Sequence, residues 1–155
     1  MSRSAPSVKA RLFFTHTHWD HVMGFPFFVP IFVEGTDLDI YSPVTHEDEG
    51  LDQIIGTLLS YRHFPVRQSE LSAAIRYHSL KEELLEFDDG LKIQTKFLNH
   101  PVLTLGYRIE YGGKVFCTVF DHEPFRNVFP INPHDPGYDA AAADEGEAIA
   151  KEENA

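Results

Sequence analysis

Hydrophobic residues alternate with polar ones in several short runs along the chain, which is the pattern of β-strands. The first run, residues 8–14, is rich in branched and aromatic side chains and predicts a buried strand. Gly112 and Gly113 separate two later runs in the way that a tight β-hairpin requires. The pattern predicts about six strands in all, and the runs lie at 8–14, 38–41, 75–78, 91–98, 103–111 and 114–120.

One helix is predicted between the second and third strands. Thr45 and Asp48 have the spacing of a capping box at its start. The following apolar residues recur with the helical period and fall on one face, namely Leu51, Ile54, Ile55, Leu58 and Leu59. Such a helix packs its apolar face against a sheet, so the fold class is α/β or α+β. Residues 145–155 predict the first turns of a second helix.

The length of 155 residues is typical of one domain, and the charge is unevenly distributed along it. Residues 139–155 carry six acidic side chains and one lysine, a net charge of -5 within the total of -11. We expect a domain over 1–138 and an acidic tail over 139–155, where the second helix begins. This balance does not support a nucleic-acid partner, although it leaves one open. A phosphate-bearing substrate would have to be held mainly by metal ions.

Composition also limits the cellular setting. The chain has no apolar run of roughly 18 residues and no hydrophobic signal region at its start, so no membrane partner is expected and the cytoplasm is the expected location. Cys117 is the single cysteine, which excludes an internal disulfide and a cysteine-based zinc site. Its position in an apolar run predicts a small buried side chain.

Four residues with metal-binding side chains follow the first predicted strand: His16, His18, Asp20 and His21. Imidazole and carboxylate groups suit zinc, iron or manganese. Side chains alternate along an extended segment, so His16 and His18 point the same way and can bind one ion. Asp20 and His21 follow at a turn, which can direct them to a second ion. A single histidine beside a strand is usually structural, but this array predicts a metal site.

The segment 15–21, Thr-His-Thr-His-Trp-Asp-His, followed by Gly-Phe-Pro-Phe-Phe at 24–28, resembles the signature loop of the metallo-beta-lactamase fold hydrolases. More narrowly, it resembles the branch of ribonuclease Z, the tRNA 3′-processing endonuclease, and of cyclic nucleotide phosphodiesterases. The resemblance implies an αββα sandwich. It covers residues 8 to about 137 and corresponds to the middle of the family's domain, so we expect only part of that sandwich in a truncated chain.

The resemblance also implies the rest of the metal site. His100, in Asn-His-Pro, matches the third histidine of the first metal, and Asp121 matches the aspartate that bridges two metals. The implied cofactor is one or two zinc ions, with manganese or iron as alternatives. A further histidine of the family's second site has no counterpart in this chain, so the second site should be weak. The implied ligands are His16, His18, Asp20, His21, His100 and Asp121.

The implied activity is that of a metal-dependent hydrolase of the phosphodiesterase type. A metal-bound hydroxide would attack a small-molecule or nucleotide phosphodiester, and Asp20 would orient that hydroxide or accept its proton. The same ligand array also serves thioester or lactam hydrolysis and sulfur dioxygenation. An inactive metal-binding or interaction module is a further alternative. A partial sandwich would leave strand edges uncovered, which favours a homo-oligomer.

Overall fold

The computed structural model describes residues 6–45 and 49–155. Its contacts divide the chain into two units, Met1–Phe120 and Asp121–Ala155. The strands of the described residues are β1 Lys9–Phe13, β2 Asp37–Pro43, β3 Ala74–Leu80, β4 Leu84–Glu86, β5 Lys92–Leu98, β6 Thr104–Tyr111 and β7 Lys114–Thr118. The α-helices are α1 Trp19–Val22, α2 Leu51–Leu58 and α3 Ala140–Glu153.

The strands of the first unit form two sheets. β1, β2 and β3 pair in parallel, and β4, β5, β6 and β7 form an antiparallel meander. Gly112 and Gly113 turn the chain from β6 into β7 with φ values of 56° and 73°, which confirms the predicted hairpin. The predicted strands are all present, and the structure adds β4. That strand has three residues, too few for a periodic pattern to be recognised.

Side-chain alternation along β2 divides the core of the first unit into two layers. Leu38 and Ile40 face the helices and pack with Ile31 and Ile55, each 0% exposed. Tyr41 faces the other way and packs in a cluster with buried residues of β3, β5 and β6, namely Leu80, Ile93, Leu105 and Tyr107. The parallel sheet therefore lies between a helical layer and the antiparallel sheet.

The helical layer differs in detail from the prediction. Helix α2 begins after Gly50, whose N–H donates to Gln53 Oε1 at 2.8 Å. Asp48, of the predicted capping box, lies outside the described residues. The segment after α1 forms two short 3₁₀ helices, Phe25–Phe27 and Val29–Phe32, because each has a proline in its first turn. No helix in the described parts of the chain combines the length and the apolarity needed to cross a membrane.

The prediction that Cys117 is buried was wrong. Strand β7 is the last strand of the antiparallel sheet and pairs with β6 alone in that sheet. The Cys117 side chain is exposed, as are those of Val115 and Phe116 beside it. An apolar run of this length is equally compatible with a central strand and with an edge strand, and only the strand order distinguishes the two.

The second unit consists of an irregular segment and α3. Asp139 caps the helix by accepting a hydrogen bond from the Ala142 N–H at 3.1 Å. The Asn127 side chain donates to the Ala143 carbonyl at 2.7 Å, and Asn154 Nδ2 donates to the Phe125 carbonyl at 2.7 Å. These bonds hold the irregular segment against α3. Helix α3 covers residues 145–153 of the predicted second helix, 145–155, and begins five residues earlier, at Ala140.

Asp39 joins β2 to β3 through a charged pair. In the parallel register it lies opposite Arg76, whose guanidinium donates to both carboxylate oxygens at 2.8 Å. His78 Nε2 lies 2.7 Å from the same carboxylate. The hydrogen bond from Arg76 holds the pKa of Asp39 well below its usual range, with His78 contributing in the same direction. This pair therefore stabilises the register of the sheet whenever Asp39 is ionised.

We predict that Asp39→Asn lowers the free energy of unfolding by about 1–2 kcal/mol at pH 7, since a bidentate charged bond is lost from a mostly covered carboxylate. The folded-state pKa is depressed, so the contribution of Asp39 is present above the ordinary aspartate pKa of about 3.9 and is lost as the pH falls below it. Urea titrations followed by circular dichroism should show that the difference in free energy of unfolding between wild type and variant becomes smaller from pH 7 to pH 3.

Glu110→Gln provides the control, because it removes an exposed ion pair with Arg108 at 3.0 Å. Such pairs contribute little, so its effect should stay below about 0.5 kcal/mol. If the stability difference between wild type and Asp39→Asn does not change with pH, the charge of Asp39 does not stabilise the sheet.

Candidate metal centre

The segment that leads into the histidine loop is hydrogen-bonded to both sheets. On one side, the Phe14 N–H donates to the Tyr41 carbonyl of β2 at 2.8 Å. On the other, Tyr107 Oη of β6 donates to the Phe14 carbonyl at 2.5 Å, and the Leu105 N–H donates to the Thr15 carbonyl at 2.9 Å. Burial raises the pKa of Tyr107, so its hydroxyl remains a donor. The start of the loop is therefore fixed between β2 and β6.

Three histidines converge just beyond this point. His16 Nε2 lies 3.0 Å from His18 Nδ1, and His100 Nε2 lies 3.1 Å from the same atom. One potential ligand atom from each histidine lies within 4.8 Å of those of the other two. Ligands at about 2.0–2.1 Å from a tetrahedral zinc ion are about 3.3 Å apart, so these separations suit one shared ion. The set consists of imidazoles, which also bind iron and manganese.

Thr15 sets the orientation of His16. Its hydroxyl oxygen lies 3.1 Å from His16 Nδ1, and both residues are buried. If Nδ1–H donates to this oxygen, Nε2 keeps its lone pair for an ion. Thr15 and Tyr107 are not among the site residues that the sequence predicts. The position of the Thr15 hydroxyl next to a candidate ligand could have indicated its contact with His16. No neighbouring residue in the sequence indicates that Tyr107 reaches Phe14.

His100 comes from a distant part of the chain. It lies 82 positions after His18, in the loop between β5 and β6. Thr104 Oγ1 donates to the Val102 carbonyl at 3.1 Å, which shapes the end of that loop. The antiparallel pairing of β5 with β6 returns the loop to the edge where β1 ends, and Leu105 bonds there to Thr15. The third predicted histidine thus joins the first two.

Asp20 and His21 lie on α1, beside the three histidines. The His21 ring centroid is 4.1 Å from that of His16. The backbone N–H of His21 donates to the His18 carbonyl at 3.0 Å. Asp20 Oδ2 lies 3.6 Å from His21 Nε2, and the Asp20 side chain is 75% exposed. The His21 ring therefore lies against His16, and the Asp20 carboxylate lies near His21 in solvent. Their assignment to a second metal stays a prediction.

Asp121 comes from a third part of the chain. It follows β7 by three residues and is the residue at which the second unit begins. It is exposed and has a φ of 43°, a value that marks a turn away from strand geometry. Its role as a bridging ligand stays a prediction.

Comparisons with known proteins agree on one family, although a scan against protein-family models finds no match. Ribonuclease Z of Lactococcus lactis subsp. cremoris (strain SK11) is 32% identical over 110 residues, which are 67% of this chain and 33% of that protein. Ribonuclease Z of Lactobacillus gasseri is 33% identical over 108 residues, which are 67% of this chain and 32% of that protein. The crystal structure of human tRNase Z, short form, superposes with a TM-score of 0.50 at 22% identity, over 69% of this chain and 47% of that one.

The two packed sheets with a helical layer, and the structural match, define the metallo-beta-lactamase fold. The sequence likeness is more specific than the fold. The chain belongs to the ribonuclease Z-like branch of the metallo-beta-lactamase fold proteins, as the loop at 15–28 predicts. It spans about a third of the length of the ribonucleases Z that it matches.

We predict that the protein binds zinc, iron or manganese and that His18→Ala abolishes this binding, because His18 Nδ1 is the atom close to both other nitrogens. Metal content per chain is to be measured by plasma mass spectrometry after purification without added metal. Glu34→Gln, an exposed substitution outside the cluster, should retain the wild-type metal content. Equal metal in wild type and His18→Ala would reject the site.

A second prediction concerns Thr15. Thr15→Val keeps the shape of the side chain but removes the oxygen beside His16 Nδ1, so zinc affinity should fall by about 10–100-fold. Competition with a chromogenic chelator measures this change. Thr57→Val is the matched control, since Thr57 is an exposed residue of α2. An unchanged affinity for Thr15→Val would show that His16 does not need this bond.

Proposed function

We propose that this chain carries the catalytic metal site of a metal-dependent phosphodiesterase. One observation carries the proposal: the Nε2 atoms of His16 and His100, from two distant loops, both lie within about 3 Å of His18 Nδ1. The relatives named ribonuclease Z support phosphodiester cleavage as the reaction, because a ribonuclease cleaves the phosphodiester bonds of RNA. The proposed substrate class is therefore a nucleotide phosphodiester, within the broader class of small phosphodiesters.

The three histidines would hold the first ion through His16 Nε2, His18 Nδ1 and His100 Nε2. Three protein ligands leave a coordination position for water or substrate, which is the usual arrangement of a catalytic zinc site. An ion bound there supplies a water of pKa about 7 and polarises a phosphoryl oxygen. The burial of His16 and its contact with Thr15 support a rigid first site.

Asp20 is the proposed proton acceptor. Its carboxylate is exposed and lies 3.6 Å from His21 Nε2, and the His21 ring contacts His16, so the carboxylate is open to solvent and to a bound substrate. In the proposed reaction, a water oxygen forms a bond to phosphorus and Asp20 takes the water proton. The leaving alkoxide departs with the electron pair of the broken P–O bond and takes a proton from Asp20 or from solvent. The three histidines remain in place throughout.

A second ion would use Asp20, His21 and Asp121. Two carboxylates would supply hard oxygen ligands on the solvent side, and the ion would offset the charge of the phosphodiester. Because the chain carries a net charge of -11, attraction of an anionic substrate depends on bound cations. The exposure of Asp20 supports a more loosely held ion than at the first site.

We predict that the metal-loaded protein hydrolyses bis-p-nitrophenyl phosphate and that Asp20→Asn lowers kcat by about 10²–10⁴-fold, the usual contribution of a general base. Metal content should be followed in parallel, because retention of the first ion separates loss of the proton acceptor from loss of the metal. Asp52→Asn, an exposed change on α2, should behave like the wild type.

A thioester and a cephalosporin belong in the same assay. Turnover of either one without phosphodiester hydrolysis would reject the phosphodiesterase proposal in favour of another chemistry of the same ligand array. Metal binding without turnover of any of the three substrates would indicate a binding module.

A further inference from the structure

Strand β7 is an edge strand whose apolar side chains are exposed. It is the last strand of the antiparallel sheet and pairs there with β6 alone. Val115 is 51% exposed and Phe116 is 62% exposed, and Cys117 is exposed as well. Phe116 lies opposite Ile109 in the register, so it is on the face that carries the core residues of β6. The parts of the chain that the structure describes leave more than half of this aromatic side chain uncovered.

The other three edge strands of the two sheets, as far as the structure describes them, are short or carry charge, which are usual protections against pairing with another chain. β4 has only three residues and ends in Glu86. β1 carries Arg11 and β3 carries Arg76, both in ion pairs. β7 differs, because its one charged residue, Lys114, is at its start, and no charged residue or proline follows over 115–120.

The tight turn before β7 determines which backbone groups of the strand point away from β6. In a two-residue hairpin the flanking residues, here Tyr111 and Lys114, exchange hydrogen bonds with each other. Alternate residues after Lys114 therefore bond to β6, and the N–H and C=O groups of Val115 and Cys117 point outward. These outward groups are placed to pair with a further strand.

We propose that two copies of this chain associate through β7, which pairs antiparallel with the β7 strand of the second copy. The four strands of each antiparallel sheet then form one continuous sheet. In the register centred on Phe116, the two Phe116 side chains lie opposite each other, and Val115 lies opposite the partner's Cys117. Aromatic pairs across neighbouring strands are favourable. Lys114 lies opposite the partner's Thr118, so no like charges meet.

The charge and symmetry of this edge favour a second copy as its occupant. The chain has a net charge of -11, but β7 has no acidic residue, so repulsion between copies is weak along this strand. Each copy has one β7, and a two-fold pairing uses both, so the assembly closes as a dimer and does not extend into a fibre. A homo-oligomer is expected from the sequence, and the strand order indicates which edge forms it. None of the residues at 114–118 is a proposed metal ligand, so the dimer does not rest on the proposed function.

Sedimentation velocity over a range of concentrations tests the proposal. One strand pair forms a small interface, so the wild type should be dimeric at about 100 μM and monomeric at about 1 μM. Val115→Lys places a charge on the outward-pairing segment and should raise the Kd of the dimer by about tenfold or more. Because Val115 is exposed, the thermal melting curve of the dilute variant should match that of the wild type.

Val29→Lys is the matched control, because Val29 is 58% exposed but belongs to a 3₁₀ helix of the helical layer. It should keep the Kd of the wild type. Loss of the dimer in Val29→Lys, or its persistence in Val115→Lys, would overturn the proposal. So would a wild type that stays monomeric at the highest of these concentrations or associates beyond a dimer.

Cys117 provides a second measurement, which uses the wild-type chain. It is the single cysteine and it is exposed. In the proposed register the two Cys117 residues are diagonal neighbours across the paired strands, about 7–8 Å apart, so a short bismaleimide should link two chains. The yield of linked dimer should fall in Val115→Lys and stay unchanged in Val29→Lys. Absence of linked chains at concentrations where sedimentation detects dimers would overturn pairing through β7.

Discussion

The candidate metal centre depends on the hydrogen bonds that fix Phe14 and Thr15 between the two sheets. On one side, the Phe14 N–H donates a hydrogen bond to β2. On the other side, Tyr107 and Leu105 of β6 donate to the carbonyls of Phe14 and Thr15. A histidine on an unsupported loop would lose much of its side-chain freedom on binding an ion, and that loss would reduce affinity. Here the backbone of the loop is already ordered by the sheets, so His16 is placed before any ion binds.

The same bonds explain why two distant loops meet. Leu105 follows the His100 loop in β6 and bonds to Thr15, the residue before His16. A shift of β6 by one residue would move this bond and would also exchange the faces of β6, exposing Leu105 and Tyr107, which are buried between the sheets. The hydrophobic core therefore specifies the register, and the register specifies the distance from His100 to His18.

The sequence predicts those features that depend on neighbours along the chain. The alternation of residues 91–98 and the Gly112 to Gly113 turn predict the meander, and the spacing of His16 and His18 predicts a shared ion. Features set by distant contacts are different. His100 is recognised through family resemblance alone, and the exposure of Cys117 depends on strand order.

This division also bears on how specificity could arise in such a site. The residues proposed to hold the ion lie on segments that the sheets fix, so most changes there would cost both stability and metal binding. Val102 and Leu103, in the loop before β6, are half-buried, and side chains in such a loop can change with less effect on the core. Family membership therefore indicates mainly the ion and its ligands, whereas the choice of substrate depends on the side chains around them.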